Sequence, residues 1–286
     1  MRLDTTNHDR DQAGLTYVYP VVSRRSRGLS IGVNLNTNNA CNWRCVYCQV
    51  EGLNRGAAPE LDLDLLRTEL NGFLDQVLLG DWMEVNAPPE ARRLNDVAFS
   101  GNGEATTCPQ FLEAIELVAD IMDARGMSDV KLVLITNGSM LHKPKVQQGL
   151  ARMAQSGGEV WFKLDAGTEQ GRLEVNSLAI PDARVRENLK LCSGLVSTRI
   201  QTCMFARNGQ VPSEERVQAY LDFLGGQVVA QVPIQDVMLY GLARPSAQEE
   251  AGELGTLSDE WLKGMAARIR GLGLPVTTYG AEGMLT

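Results

Sequence analysis

Histidine is almost missing from this chain of 286 residues: His8 and His142 are the only two. That scarcity removes the usual companion of cysteine at a closed zinc site, which draws four ligands from two cysteine pairs or from one pair plus histidines. Positive charge is short as well. Lys and Arg number 27 against 35 Asp and Glu, a formal net charge of −8. That balance argues against an extended nucleic-acid-binding face, though not against a local basic site. There is no signal peptide and no apolar run long enough to cross a bilayer, so the protein is expected to be soluble and cytoplasmic, with no membrane partner. Internal repeats and low-complexity tracts are absent. The six cysteines do not read as a disulfide framework, because three of them crowd into one short stretch.

That stretch runs from Ser30 to Gly52, SIGVNLNTNNACNWRCVYCQVEG, and sets Cys41, Cys45 and Cys48 in a CxxxCxxC triplet after an apolar, strand-like run. Thiolates are the soft ligands of zinc and of iron–sulfur clusters. A structural zinc ion would need a fourth ligand, and none stands near. A cubic [4Fe–4S] cluster is normally held by four cysteines, so three would leave one iron open to an external ligand.

The triplet, with the aromatic Tyr47 before its last cysteine, resembles the signature of the radical S-adenosylmethionine (SAM) superfamily. The leader Tyr17-x-x-Pro20-x-x-Ser23-Arg24-Arg25 is similar to that of a wyosine-synthase-like branch of these Fe–S oxidoreductases. The resemblance implies a [4Fe–4S] cluster on Cys41, Cys45 and Cys48 whose open iron chelates the amino and carboxylate groups of SAM. An electron from an external flavodoxin or ferredoxin would then break the S–C5′ bond and release a 5′-deoxyadenosyl radical. Tyr47 would lie against the adenine. Arg24, Arg25 and Arg27 read either as a solvated basic turn or as a lid over the cluster mouth that meets a carboxylate or phosphate.

The remainder alternates strand and helix. Val-, Ile- and Leu-rich runs occupy Ser30–Leu35, Asp96–Ser100, Lys131–Thr136, Glu159–Leu164, Thr198–Phe205 and Gln235–Tyr240. Helical periodicity fills Asp62–Leu79, Gln110–Arg125, Lys143–Ser156, Asp182–Cys192, Ser213–Leu224 and Ser258–Gly271. Near-continuous apolar strands argue a parallel sheet covered on both faces. The expected fold is therefore α/β, a partial (βα)6 TIM-like barrel, which is also the fold the resemblance implies. Residues 1–15 read as a flexible segment, 16–286 as one radical SAM domain, Gly80–Leu94 as a surface loop and Pro275–Tyr279 as an extra edge strand.

Chemistry in such folds collects at the C-terminal ends of strands, and the polar constellations fall there. After the second run comes Gly101-Asn102-Gly103-Glu104, similar to the family's Gly-Gly-Glu element, with Asn102 in place of a glycine and Ala105 where proline is common. Its backbone and Glu104 would receive the SAM amino group. Thr136-Asn137 would face the ribose and carboxylate. Lys163 and Asp165, two apart and so on one face, form either a rim ion pair or a catalytic pair for SAM or substrate. Arg244 is a candidate for a substrate anion or a surface salt bridge. Cys108, Cys192 and Cys203 lack ligand spacing and read as buried thiols.

The leading reading is a radical SAM enzyme acting on an unidentified small molecule or nucleoside. One alternative is an RNA base-modifying enzyme of the same chemistry. The other is a non-catalytic metal-binding protein.

Overall fold

The computed structural model describes residues 13–23, 28–280 and 283–286. The chain divides into two compact units: one comprises the chain up to Asn42 with Gly56–Thr136 and His142–Glu159, the other Trp43–Arg55, Asn137–Leu141 and Val160–Thr286.

In the first unit, strand β1 (Val18–Ser23) runs antiparallel to β2 (Gly28–Val33), from Val18 opposite Val33 to Ser23 opposite Gly28. Helix α1 (Leu63–Leu78), strand β3 (Leu94–Phe99), helix α2 (Phe111–Ala124), strand β4 (Lys131–Thr136) and helix α3 (Pro144–Gln155) follow. β2, β3 and β4 are parallel neighbours in that order. Asp62 caps α1 by accepting from the Leu65 N–H at 2.9 Å, and Leu66, Leu70, Phe73, Leu74 and Val77 form its buried stripe, spaced as an amphipathic helix requires.

Two expectations are corrected here. The Tyr-x-x-Pro leader is itself a strand up to Ser23. The buried Glu69 of α1 fixes its start by accepting from the Thr16, Tyr17 and Val18 N–H groups at 2.7, 2.8 and 3.3 Å, a pairing between distant residues that no local pattern announces. Arg24, Arg25 and Arg27, like most of the N-terminal segment read as flexible, lie outside the described residues. Gly80–Leu94 is also more than a loop. It holds a short helix at Trp82–Asn86 and a single 3₁₀ turn at Pro89–Ala91. Proline suits the first turn of a helix, where its missing N–H is not needed. The Trp82 ring packs edge-on against Phe73 at 5.0 Å, and the Arg92 guanidinium satisfies the Ala87 and Glu84 carbonyls.

The second unit continues the alternation: strand β5 (Glu159–Lys163), helices α4 (Glu169–Asn176) and α5 (Asp182–Leu195), strand β6 (Ser197–Met204), helix α6 (Glu214–Val229), strand β7 (Val237–Gly241), helix α7 (Asp259–Arg270) and strand β8 (Val276–Tyr279). The strand order is sequential from β5 to β8. β7 lies parallel to both neighbours, with Val237 opposite Ile200 and Val276. Thr168, Ser213 and Ser258 cap α4, α6 and α7 through their hydroxyls, the preferred chemistry at that position. Strand β8 is the expected extra edge strand; α4, short and polar, was not expected from periodicity, although its cap Thr168 is a local signal. Among the described residues, no helix is long and apolar enough to cross a membrane.

Candidate functional site

The cysteine loop is built into the second unit by backbone bonds on both sides. The Arg44 and Val46 N–H groups donate to the carbonyls of Asn176 and Val175 at 3.3 and 2.8 Å, so the last turn of α4 brackets Cys45. From the other side comes the segment after β7. Ser246 Oγ donates to the Val46 and Cys48 carbonyls at 2.7 and 3.1 Å, and the Ala247 N–H reaches Cys48 O at 2.8 Å. Gln248 Nε2 bonds Cys48 O and Val50 O at 3.3 and 3.1 Å. The Arg44 guanidinium grips Glu250 through both carboxylate oxygens at 2.8 and 2.9 Å, the strong two-pronged form of such a pair. Beneath lies an apolar cluster of Val46, Val175, Cys203, Phe205 and Leu242, with Tyr47, Tyr240 and Leu254 packed on it.

The three predicted ligands are half-buried cysteines outside any disulfide. Cys45 and Cys48 belong to this loop, with the Cys48 N–H bonded to Cys45 O at 2.9 Å. Cys41 belongs to the first unit, where its carbonyl accepts from the Gly56 N–H at 3.1 Å. Among the described residues, no three His, Cys, Asp or Glu side chains converge closely enough to hold one metal ion.

A polar network surrounds Cys45. Asp165, whose side chain is fully buried, accepts from Tyr47 Oη at 2.5 Å, from the Cys203 N–H at 2.9 Å and from Asn176 Nδ2 at 3.1 Å. Lys163 Nζ lies 3.2 Å from Asp165 and donates to Tyr240 Oη at 2.6 Å, and it sits over the Tyr47 and Tyr240 rings at 5.0 and 5.1 Å. Burial works against the ammonium, but the Asp165 carboxylate prevails and the Lys163 pKa is raised. Burial, reinforced by Asp165, pushes the Cys45 thiol and the Tyr47 phenol up. Elsewhere, burial raises the Cys108 thiol to about 11 and the Cys192 thiol to about 12, so both behave as packed, protonated groups. Lys163 and Asp165 are thus an ion pair, and Tyr47 joins them. Arg244 enters through its backbone, its carbonyl accepting from Gln49 Nε2 at 3.4 Å.

In the first unit the predicted SAM element is ordered by its own neighbours. Asn34 Oδ1 accepts from the Asn36 and Asn102 N–H groups at 3.0 and 3.1 Å, and Asn102 Nδ2 donates to Asn39 Oδ1 at 2.6 Å. Gly103 is required by packing: a Cβ there would stand 2.0 Å from the Ala40 carbonyl. Gly101 takes a φ of 153°. Glu104 is 3 % exposed, and its Oε1 receives Thr106 N, Thr106 Oγ1 and Thr136 Oγ1 at 3.2, 2.5 and 2.6 Å. Two residues assigned separately from the sequence are therefore joined. In the second unit, Asn137 closes a turn by accepting from the Ser139 N–H at 3.0 Å.

No pattern in the sequence pointed to Asn176, whose amide also donates to Cys45 Sγ at 3.2 Å, nor to the Arg44–Glu250 pair. Both arise from contacts between segments far apart in the chain. Tyr240 was visible only as a strand end.

No family model matches the chain. The UPF0026 protein of Helicobacter pylori is 29% identical in one strain and 30% in another, over 154 residues that make up 51% of this chain and 41% of the relative. The chain thus spans about two fifths of the length of the curated relatives it matches. Among solved structures, a radical SAM methyltransferase from Sphaerobacter thermophilus aligns with a TM-score of 0.60 at 16% identity, covering 90% of this chain and 67% of the other. A spore photoproduct lyase with bound AdoMet aligns with a TM-score of 0.55 at 9% identity, covering 85% and 72%. The chain has the fold of the radical SAM enzymes: α/β, a partial (βα)6 TIM-like barrel whose strands are mostly parallel.

Proposed function

We propose that this protein is a radical SAM enzyme, with Cys41, Cys45 and Cys48 holding a [4Fe–4S] cluster and SAM as the second cofactor. The observation that carries the reading is the setting of the triplet. It follows β2 in a radical SAM fold, and the loop that carries Cys45 and Cys48 is clamped from both sides, with a side-chain N–H aimed at Cys45 Sγ. The donor set fits the group: three thiols, no histidine, and a hydrogen-bond donor at sulfur of the kind that supports a cluster thiolate. When bound and reduced by a flavodoxin or ferredoxin, the cluster supplies the electron for breaking the S–C5′ bond of SAM and so starts radical chemistry.

The chain's own residues orient and shield. Tyr47, fixed by Asp165, offers an aromatic wall for adenine. The Gly101-Asn102-Gly103 backbone and Glu104 take the cationic amino group, with Thr136 holding the Glu104 carboxylate in place and Asn137 shaping the next turn. Lys163 and Asp165 present a buried charge pair toward SAM or substrate, and Arg244 an anion contact. The substrate is a small molecule or a nucleoside.

The test uses protein purified without oxygen, reconstituted with iron and sulfide and reduced with dithionite. The electron paramagnetic resonance (EPR) spectrum is recorded with and without SAM, and 5′-deoxyadenosine is assayed. A [4Fe–4S]⁺ signal that changes with SAM, deoxyadenosine formation, and loss of both in Cys45→Ala are expected. Zinc in the metal analysis, or a signal indifferent to SAM, would sink the proposal.

A further inference from the structure

Asn176 closes α4 and is 1 % exposed. Its two amide hydrogens have two separate acceptors, Cys45 Sγ at 3.2 Å and Asp165 Oδ2 at 3.1 Å. The orientation of the amide is fixed by chemistry. Turned over, its oxygen would face a carboxylate already committed to Tyr47 and the Cys203 N–H, and would face the sulfur as well. The remaining atom, Asn176 Oδ1, is buried without a hydrogen-bond partner. A site that leaves an acceptor unsatisfied to keep both donors in place sacrifices stability for the contact at sulfur, because an unmade buried hydrogen bond costs about 1–3 kcal/mol. The main chain adds rigidity: the Asn176 and Val175 carbonyls hold the residues on either side of Cys45.

We infer that Asn176 is a positioning residue that raises the reduction potential of the group bound by Cys45. The inference rests on the proposed cluster. A donor at a ligating sulfur favours the more negative, reduced state, because that state places more charge on sulfur and strengthens the hydrogen bond. Asp165 acts in the opposite sense, since a carboxylate near the sulfur disfavours added negative charge. The amide stands between the two, giving each anion its own hydrogen. Removing it takes away the donor and leaves the carboxylate unshielded, so both effects lower the potential.

The experiment is an EPR-monitored redox titration of reconstituted wild type, Asn176→Leu and Asn176→Thr, with iron content and melting temperature measured on each. Leucine keeps the volume without a donor; threonine keeps a hydroxyl donor on a shorter side chain. The expected result is a more negative midpoint potential for Asn176→Leu, with Asn176→Thr between it and wild type. Equal potentials in variants that carry full iron would overturn the inference and leave the enzyme proposal standing. Loss of the cluster from both variants, in chains that melt like wild type, would overturn it in favour of a purely holding role. A wild type that takes up no [4Fe–4S] cluster would remove the enzyme proposal and this inference together.

Discussion

Glu104 is committed before any ligand arrives. One carboxylate oxygen takes the Thr106 N–H and hydroxyl and the Thr136 hydroxyl, which fixes the plane of the carboxylate on a buried side chain. An acceptor so preorganised loses little entropy on meeting a cationic amino group. Glutamine in its place keeps an oxygen for the two threonines but surrenders the charge. For Glu104→Gln the expected outcome is an unaltered melting temperature and a SAM affinity weakened by about 10–100-fold, the worth of a charge-assisted hydrogen bond. Isothermal titration of SAM into the reconstituted variant measures it, and an unchanged Kd would remove Glu104 from the SAM site. Its place after a strand and its Gly-rich approach were legible in the sequence. The threonine partners were not, because hydroxyl contacts leave no periodic trace. The glycines were legible for another reason than the one that matters locally. Gly103 reads as room for a ligand, whereas the clash that excludes a side chain there is with the Ala40 carbonyl.

The segment Ser246–Glu250 does for the cysteine loop what a covalent staple would do. It satisfies the carbonyls of Val46, Cys48 and Val50 and ends in the Arg44–Glu250 pair. Burial opposes ionisation of Glu250, but the Arg44 hydrogen bond wins and its pKa is lowered. A lowered carboxylate contributes stability that is present above the ordinary glutamate range of about 4.3 and is lost as pH falls through the folded value. Accordingly, hydrogen exchange at the amides of residues 44–50, measured on the metal-free chain, is expected to speed up in Glu250→Ala at pH 7. In wild type the same acceleration should appear only under acid conditions, after correction for intrinsic exchange. Equal protection in variant and wild type at pH 7 would show that the backbone bonds suffice without the ion pair. Elements of this kind separate what a sequence shows from what it hides. Strands β2 to β7 announced themselves as Val-, Ile- and Leu-rich runs because both faces are covered, and Ser258 announced α7 because an N-cap is local. β1 and the Ser246–Glu250 segment depend on partners distant in the chain, and single-sequence periodicity does not register those; α4 is too short and polar to show a period.

At the scale of the molecule, fold and charge separate what the barrel does from what it acts on. The same fold is shared with a methyltransferase at 16% identity and a photoproduct lyase at 9%, so the fold by itself names neither an activity nor a substrate. The net charge of −8 then weighs on the choice between a small substrate and intact RNA. Grasping a polyanion over many phosphates requires several Lys or Arg contacts, each of which steepens the dependence of affinity on salt. In this chain many of the described arginines are engaged with carboxylates: Arg44 with Glu250, Arg125 with Asp75, Arg152 with Asp120 and Asp123, Arg199 with Asp236, Arg207 with Glu253 and Arg268 with Glu214. Guanidinium groups so paired would have to give up one anion to take another. Fluorescence anisotropy with a labelled transfer RNA, titrated at 50 and 200 mM salt, is therefore expected to give binding no tighter than about 10⁻⁴ M, the weak end of non-specific association. Micromolar binding that collapses at the higher salt would instead favour the RNA-modifying alternative, and would point the search for contacts to the Arg24, Arg25 and Arg27 segment.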